Sequence, residues 1–241
     1  MSMTPGSRVL VFIPTYNDVE LLGSITSEVR DLGADYLPLV IDDGSTVPID
    51  LTSIAPGTLF FRMPVNFGLG VATHIAFDHA LRHGIDALVR VDADGQHPIE
   101  AVSQLLSPLQ NGDADIVVAS RVNRSEGRGL RNIAANVVRT YLSLVGRLMS
   151  GGATPRDLNS GFFALNREAI SVLNSALLEH YPEPQMFVLA ARRGLRVVEV
   201  EVAQRTRQHG VSTVTLGHAL RLLYRFNIFV LAELLQKSRT P

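Results

Sequence analysis

Through its first half this chain alternates short, continuous apolar runs with stretches of helical period, and that alternation leaves few folds open. Val9 to Ile13, Leu37 to Ile41, Thr58 to Arg62, Ala87 to Val91 and Ile116 to Ala119 read as strands. Between them lie helix-like stretches: Val19 to Leu32 stops at Gly33, Leu69 to Arg82 stops before Gly84, and Ile99 to Gln110 starts behind Pro98. Strands and helices alternating at these lengths predict parallel βαβ units. Strands that are apolar throughout predict a sheet covered on both faces. The polar residues then fall into place. Thr15-Tyr16-Asn17, Asp42-Asp43, Asn66-Phe67-Gly68 and Asp92 to His97 each follow a strand. Open α/β sheets bind ligands outside the carboxyl ends of their strands, so the sequence gathers at one edge the groups a nucleotide site needs.

The second half is less regular. Arg121 to Arg131 is a basic, glycine-containing loop, Asn132 to Met149 an amphipathic helix, and Ser160 to Leu165 a short strand. Glu183 to Arg193 reads as a helix ended by Gly194, Arg196 to Val202 as a strand, and Arg205 to Thr213 as a polar loop before a long apolar helix. With 241 residues, no repeat and no low-complexity linker, the expected organisation is one α/β domain over residues 1–213 and an amphipathic helical extension over residues 214–241. No secretory signal is visible in Met1 to Ser7. No stretch is apolar enough to span a bilayer; the nearest, Leu216 to Leu235, is interrupted by His218, Arg221, Arg225 and Glu233.

Charge and cysteine usage narrow the function classes. A formal net charge of −1 argues against a general nucleic-acid binder, which draws its affinity from many unbalanced basic contacts to phosphates. Zero cysteine removes disulfides, thiolate zinc sites and cysteine nucleophiles, and it fits a reducing compartment. The expected location is therefore the cytoplasm.

Asp92-Ala93-Asp94 directly follows a strand. Two carboxylates at alternate positions can both reach a hard cation such as Mg²⁺ or Mn²⁺. Such a cation grips a diphosphate and neutralises charge on a departing phosphate. A bare Asp-x-Asp is more often a solvated turn, but here Gln96 and His97 add two ligand-capable groups before Pro98 opens a helix. Asp42-Asp43-Gly44-Ser45 supports two readings equally: a carboxylate for a base or ribose hydroxyl, or an Asx-type turn. In Pro14 to Asp18, either Asn17 or Asp18 caps the next helix, or Tyr16 stacks on a base. Asn66-Phe67-Gly68-Leu69-Gly70 lacks the lysine of a P-loop and the third glycine of a dinucleotide fingerprint. Its glycines serve either a tight turn or a close backbone approach.

Taken in order, these motifs resemble family 2 glycosyltransferases of the GT-A fold, and among them the small polyprenyl- or dolichol-phosphate sugar transferases. The resemblance runs from about Val9 to about Thr213. It rests on Ile13-Pro14-Thr15-Tyr16-Asn17-Asp18, Asp42-Asp43-Gly44-Ser45, Asn66-Phe67-Gly68, Asp92-Ala93-Asp94-Gly95-Gln96-His97-Pro98, Ser120-Arg121, Asp157-Leu158-Asn159-Ser160-Gly161-Phe162-Phe163 and Arg207-Gln208-His209-Gly210-Val211-Ser212. It implies a mostly parallel, Rossmann-like sheet sandwiched by helices, and a metal-dependent, inverting transfer of sugar from a GDP- or UDP-sugar.

By the same resemblance, Pro14, Tyr16 and Asp18 line the base pocket and Asp42 or Asp43 reads the nucleoside. Asp92, Asp94 and Gln96 hold Mg²⁺ or Mn²⁺, with Asp94 the most direct ligand. Ser160 and Gly161 shape the donor-sugar pocket, Arg121 and Arg131 face the acceptor phosphate, and Arg207 and Ser212 fold over the diphosphate. A lipid-phosphate acceptor is already ionised and needs no general base, whereas a hydroxyl needs one within hydrogen-bond reach. Glu183 is the candidate base; its plainer role, weighed ahead, is a helix N-terminal acid favoured by the macrodipole. Two positions depart from the lipid-phosphate pattern: Thr213 stands where lysine is frequent after the loop serine, and the stretch from Asn132 to Val138 lacks a serine.

The same sequence leaves room for other partners. Arg121, Arg124, Arg128, Arg131 and Arg139 cluster ahead of an apolar helix face, a pattern that suits either a core helix with a solvated arginine face, the commoner case, or an anionic membrane surface at the inner face of the cell membrane. The apolar last helix has three fates open: docking on the domain, burial in a homodimer, or contact with lipid. The alternatives in function are a saccharide or small-molecule hydroxyl acceptor for the same donor, a nucleotidyltransferase, and a nucleotide-sugar-binding scaffold without turnover. A nucleotidyltransferase usually carries a glycine-rich basic loop near its start, and Pro14 to Asp18 is not one.

Overall fold

The structure is a computed structural model that describes residues 6–121, 130–176, 178–179, 181–203, 205 and 216–237, with backbone alone for 121, 130–135, 216, 218, 236 and 237. Its strands are β1 (Val9–Thr15), β2 (Tyr36–Asp42), β3 (Leu59–Arg62), β4 (Ala87–Arg90), β5 (Ile116–Arg121), β6 (Phe163–Asn166) and β7 (Val197–Val202). They form one seven-stranded sheet in the order β3-β2-β1-β4-β6-β5-β7. β1 to β4 pair in parallel. β6 is inserted antiparallel between β4 and β5, and β7 lies parallel to β5. β4 and β5 therefore point the same way although they do not touch. The mostly parallel expectation holds, with one reversed strand.

Successive residues of β1, β2, β4 and β5 feed opposite cores. Leu10, Phe12, Leu39, Ile41, Leu88, Ile116 and Val118 enter one cluster, while Val9, Val11, Ile13, Val40, Val89 and Val117 enter the other. That two-sided burial is why these strands are apolar along most of their length. Helices α1 (Leu22–Asp31) and α3 (Val102–Gln110) cover the second cluster. The first is covered by α2 (Leu69–Arg82), α4 (Leu130–Ser150), α5 (Arg167–Asn174), α6 (Pro182–Arg192) and α7 (Leu216–Lys237).

Where the elements depart from expectation, local chemistry explains it. α1 starts at Leu22 rather than Val19, because Asn17 sits at φ 53° and the Thr15 hydroxyl donates to the Asp18 carbonyl, closing a turn there. β6 starts at Phe163 rather than Ser160, because the Ser160 amide donates to the Asp157 carbonyl at 3.4 Å, closing a turn ahead of the strand. A 3₁₀ turn over Ile99–Ala101 precedes α3. α5 is absent from the sequence reading; Asn166 caps it by accepting from the Ala169 amide at 2.8 Å, and Ala169, Ile170 and Leu173 supply its buried face.

α7 docks by one face only. Phe226 is buried in the core, Arg225 pairs with Glu179 at 3.0 Å and Glu233 with Arg192 at 3.1 Å, so α7 runs alongside α6 in the same direction. The Tyr141 hydroxyl of α4 donates to Asn227 of α7 at 2.6 Å. Away from the core, α4 exposes Val137, Tyr141, Leu144 and Leu148 at helical spacing, and α7 exposes Leu220, Tyr224, Ile228, Leu231 and Leu235. Among the described residues, no helix is long and apolar enough to cross a membrane.

Candidate active site

Three loops at the carboxyl edge of the sheet are stitched together by short hydrogen bonds. The Asn17 amide donates to the Ser45 hydroxyl at 2.8 Å, and the Asn17 side chain accepts from the Thr46 amide at 2.8 Å. Asn17 thus ties the first loop to the second and does not cap α1. Both Asp43 oxygens are engaged, accepting from the Phe67 amide at 2.7 Å and the Gly68 amide at 2.9 Å. Asp43 is therefore a clamp on the third loop. Asp42 accepts from the Ser45 amide at 2.9 Å through one oxygen; its other oxygen has no hydrogen-bond partner among the described residues, with Arg62 3.6 Å away. Tyr16 projects from this wall, half-exposed.

The glycine pair after β3 serves both purposes the sequence left open. Gly68 takes φ 92° at the turn, and a side chain on Gly70 would run into the backbone carbonyls of Leu178 and Glu179.

The fourth loop, Asp92 to His97, is held from several sides. The Asp94 carboxylate accepts from the Gln96 amide at 3.0 Å, an Asx-type turn that fixes the loop's own curvature. His97 is buried and stacks on Phe162, ring centroids 4.8 Å apart. Its Nδ1 lies 3.0 Å from the Asp92 amide, which can only donate. Nδ1 is therefore the acceptor and a neutral ring carries its proton on Nε2, 3.8 Å from the Asp92 carboxylate. His97, ligand-capable in the sequence, is committed to holding Asp92.

Arg90, the last residue of β4, is the residue that sequence reasoning passed over. It is 4 % exposed. One guanidinium nitrogen donates to Asp92 at 2.8 Å and another to Glu183 in the first turn of α6. Burial pulls against its charge, and the two carboxylates outweigh that, holding its pKa above the ordinary arginine value. Its signal in the sequence was a single charge inside the apolar run Ala87 to Val91. Glu183 is the acid in the first turn of α6, as its plainer role expects, and there it is also buried against Arg90.

Gly161 makes the arrangement possible. A Cβ there would lie 2.5 Å from one Asp92 oxygen and 3.1 Å from Arg90 Nη2. β6 runs against β4 with Arg90 opposite Phe163, so the segment leading into β6 passes directly over the Asp92 carboxylate. Ser160 faces away, fastened to β5.

The remaining expected residues are placed in part. Arg121 ends β5 and Arg131 lies in the first turn of α4, both on backbone alone; their side chains lie outside the described residues. Arg207 and Ser212 lie outside them altogether. The chain approaches that segment at Arg205, whose amide donates to the Gln96 carbonyl at 3.0 Å and whose side chain pairs with Glu28 and Glu100.

The donor set suits a hard cation in one specific way. Among the described residues no three acidic or histidine side chains converge. Two carboxylates and an amide, Asp92, Asp94 and Gln96, fit an ion that takes its other oxygens from a diphosphate and water.

This combination of a nucleotide-type α/β sheet with an acidic loop at the end of β4 is the fold class of the GT-A glycosyltransferases. A glucosyl-3-phosphoglycerate synthase from Mycobacterium tuberculosis, solved with Mn²⁺, UDP and phosphoglyceric acid, has this fold, with a TM-score of 0.68 at 22% identity over 98% of this chain and 80% of that one. The model of glycosyl transferase family 2 matches residues 10–173, and the chain belongs to that family. It is 30% identical over 229 residues to a polyprenol monophosphomannose synthase of Mycolicibacterium smegmatis, covering 89% of this chain and 83% of that protein. It is 31% identical over 220 residues to an undecaprenyl-phosphate mannosyltransferase of Micrococcus luteus, covering 87% and 88%.

Proposed function

We propose that this glycosyltransferase moves a sugar from a GDP- or UDP-sugar to a polyprenyl phosphate, with inversion at the anomeric carbon. The observation that carries the acceptor class is the Arg90–Glu183 pair. A hydroxyl acceptor requires a carboxylate presented to it, and Glu183 is tied into a buried salt bridge instead. A phosphate arrives ionised and needs no base. The polyprenol and undecaprenyl-phosphate relatives support the same acceptor.

In this reading Tyr16 offers its half-exposed ring to the base, beside Pro14 and Asp18, and Asp42, whose second oxygen faces Arg62, reads the nucleoside. Asp94, Asp92 and Gln96 hold Mg²⁺ or Mn²⁺, which when bound supplies positive charge against the departing diphosphate. Gly161 bounds the sugar pocket, with Ser160 setting the backbone there. Arg121 and Arg131 take the acceptor phosphate; Arg207 and Ser212 cover the diphosphate. Residues 1–213 form the catalytic unit. The apolar outer face of α4 and α7 rests on the membrane that holds the lipid acceptor, with Arg147 and Arg221 exposed for anionic headgroups. The first turn of α6 carries Glu183 at the active edge and α7 follows α6 away from it, so the α7 part of this face begins beside the site.

Incubation with radiolabelled GDP- and UDP-sugars, Mn²⁺ and polyprenyl phosphate tests the reading. The expected product is organic-extractable and acid-labile. Label transferred only to saccharide or small-molecule hydroxyls overturns the acceptor, and no metal-dependent nucleotide binding overturns the transferase site.

A further inference from the structure

Arg90 holds two carboxylates from distant parts of the chain. Asp92 sits in the loop after β4, and Glu183 lies in the first turn of α6, which the family resemblance sets near the acceptor. Nothing else that the structure describes about Arg90 competes with those two contacts. Its Nε has no hydrogen-bond partner among the described residues, and the Phe163 ring lies against it, 5.7 Å from Cζ to centroid. A buried guanidinium must be shared between whatever anions surround it, because leaving it uncompensated is strongly unfavourable. Its hold on Asp92 therefore depends on its hold on Glu183.

We propose that Arg90 is a positioning residue that couples the two sides: Glu183, by drawing part of the guanidinium's charge, sets how firmly Asp92 is withheld from the metal–diphosphate. The proposal rests on the donor-site reading above. Outer-shell partners orient ligands and tune their affinity for the ion. Here the partner is itself divided, so a change at the acceptor-side helix is felt at the donor loop. Gly161 keeps the contact close by leaving the space in which Asp92 and Arg90 meet. Glu183 then acts through Arg90 and not on an acceptor proton.

The test is a double-mutant cycle read by calorimetry with Mn²⁺ plus UDP and Mn²⁺ plus GDP, using Glu183→Gln, Arg90→Met and both together. Glutamine keeps the shape and the accepting oxygen but removes the charge, so Arg90 turns wholly to Asp92. The Kd of Mn²⁺–nucleotide is expected to rise about three- to tenfold in Glu183→Gln and to be unmoved by the same change in the Arg90→Met background, a coupling of the size contacting residues show. A base role for Glu183 would lower turnover while leaving that Kd alone. Should Arg90→Met fail to fold, as judged by its thermal transition, Arg90→Lys replaces it; the point charge cannot bridge both carboxylates and the effect of Glu183→Gln shrinks accordingly. An unchanged Kd in Glu183→Gln, or equal effects in both backgrounds, overturns the coupling. No binding to the parent protein overturns the donor-site reading as well.

Discussion

The Cα of Gly161 lies so close over Asp92 that a methyl group added to it would meet the Asp92 carboxylate at 2.5 Å. This glycine is where the strand reversal of the sheet meets the acidic loop, and it fixes which face of Asp92 stays open. Gly161→Ala is therefore expected to displace Asp92 and weaken Mn²⁺–nucleotide binding by about 10- to 100-fold, as loss of an orienting partner does. Calorimetry on a variant with a near-parental thermal transition checks it; unchanged affinity means the loop absorbs the methyl group.

Asp94 is the carboxylate expected to touch the ion. Asp94→Ala should abolish both the Mn²⁺-dependent thermal shift with nucleotide and turnover. Retained activity removes Asp94 from the metal site.

Asp115 gives the stability prediction. It accepts from the Arg196 amide, from Arg196 Nε and Nη2, and from Asn166. Burial pushes its pKa up, but the hydrogen bonds from Arg196 and Asn166 outweigh that and hold it below the ordinary carboxylate value. A depressed folded-state pKa means fewer protons bound in the folded than in the unfolded chain, so the contribution is full above the unfolded value of about 4 and is lost as pH falls through the folded one. Asp115→Ala should cost about 1–3 kcal/mol at pH 7. In urea titrations the gap to the parent protein should narrow near pH 3; a gap that does not change with pH contradicts the assignment.

The membrane face is tested by charge. Leu144 and Leu231 are both more than half exposed and lie outside the core. Leu144→Glu with Leu231→Glu should change stability by no more than about 0.5 kcal/mol per site. It should weaken binding to anionic vesicles at least about tenfold, because two buried leucines contribute several kcal/mol of transfer. Sedimentation with vesicles at low salt reads this directly, and the parent protein remaining in the supernatant would remove the membrane from the picture.

Much of the scaffold was legible because its signals are local. β1, β2, β4 and β5 declare themselves by largely apolar runs, since both faces of the sheet are covered there. α2 is bounded by Gly68 and Gly84, and its limits are those the periodicity predicts. α5 went unread although Asn166 and the spacing of Ala169, Ile170 and Leu173 mark it, because it follows β6 without a break. The site was legible as a set of strand-end clusters but not as a division of labour. Asp42 and Asp43 are neighbours of identical chemistry; only the position of the Phe67 and Gly68 amides makes one of them a clamp. Arg90 carries no motif of its own, and its meaning depends on Glu183, which only the docking of α6 brings within reach.

The reversed strand has a consequence for how the molecule comes into being. β1 to β4 find their neighbours in sequence order, but the outer edge of β4 is completed by β6, which is made only after β5 and α4. During synthesis that edge stays bare, and β5 waits for both of its neighbours. An uncovered strand edge invites pairing with another chain, and contacts of such long sequence separation form slowly. A nascent or truncated chain that stops short of Phe163 is thus the aggregation-prone species, and the site matures only when the last third of the protein has been made.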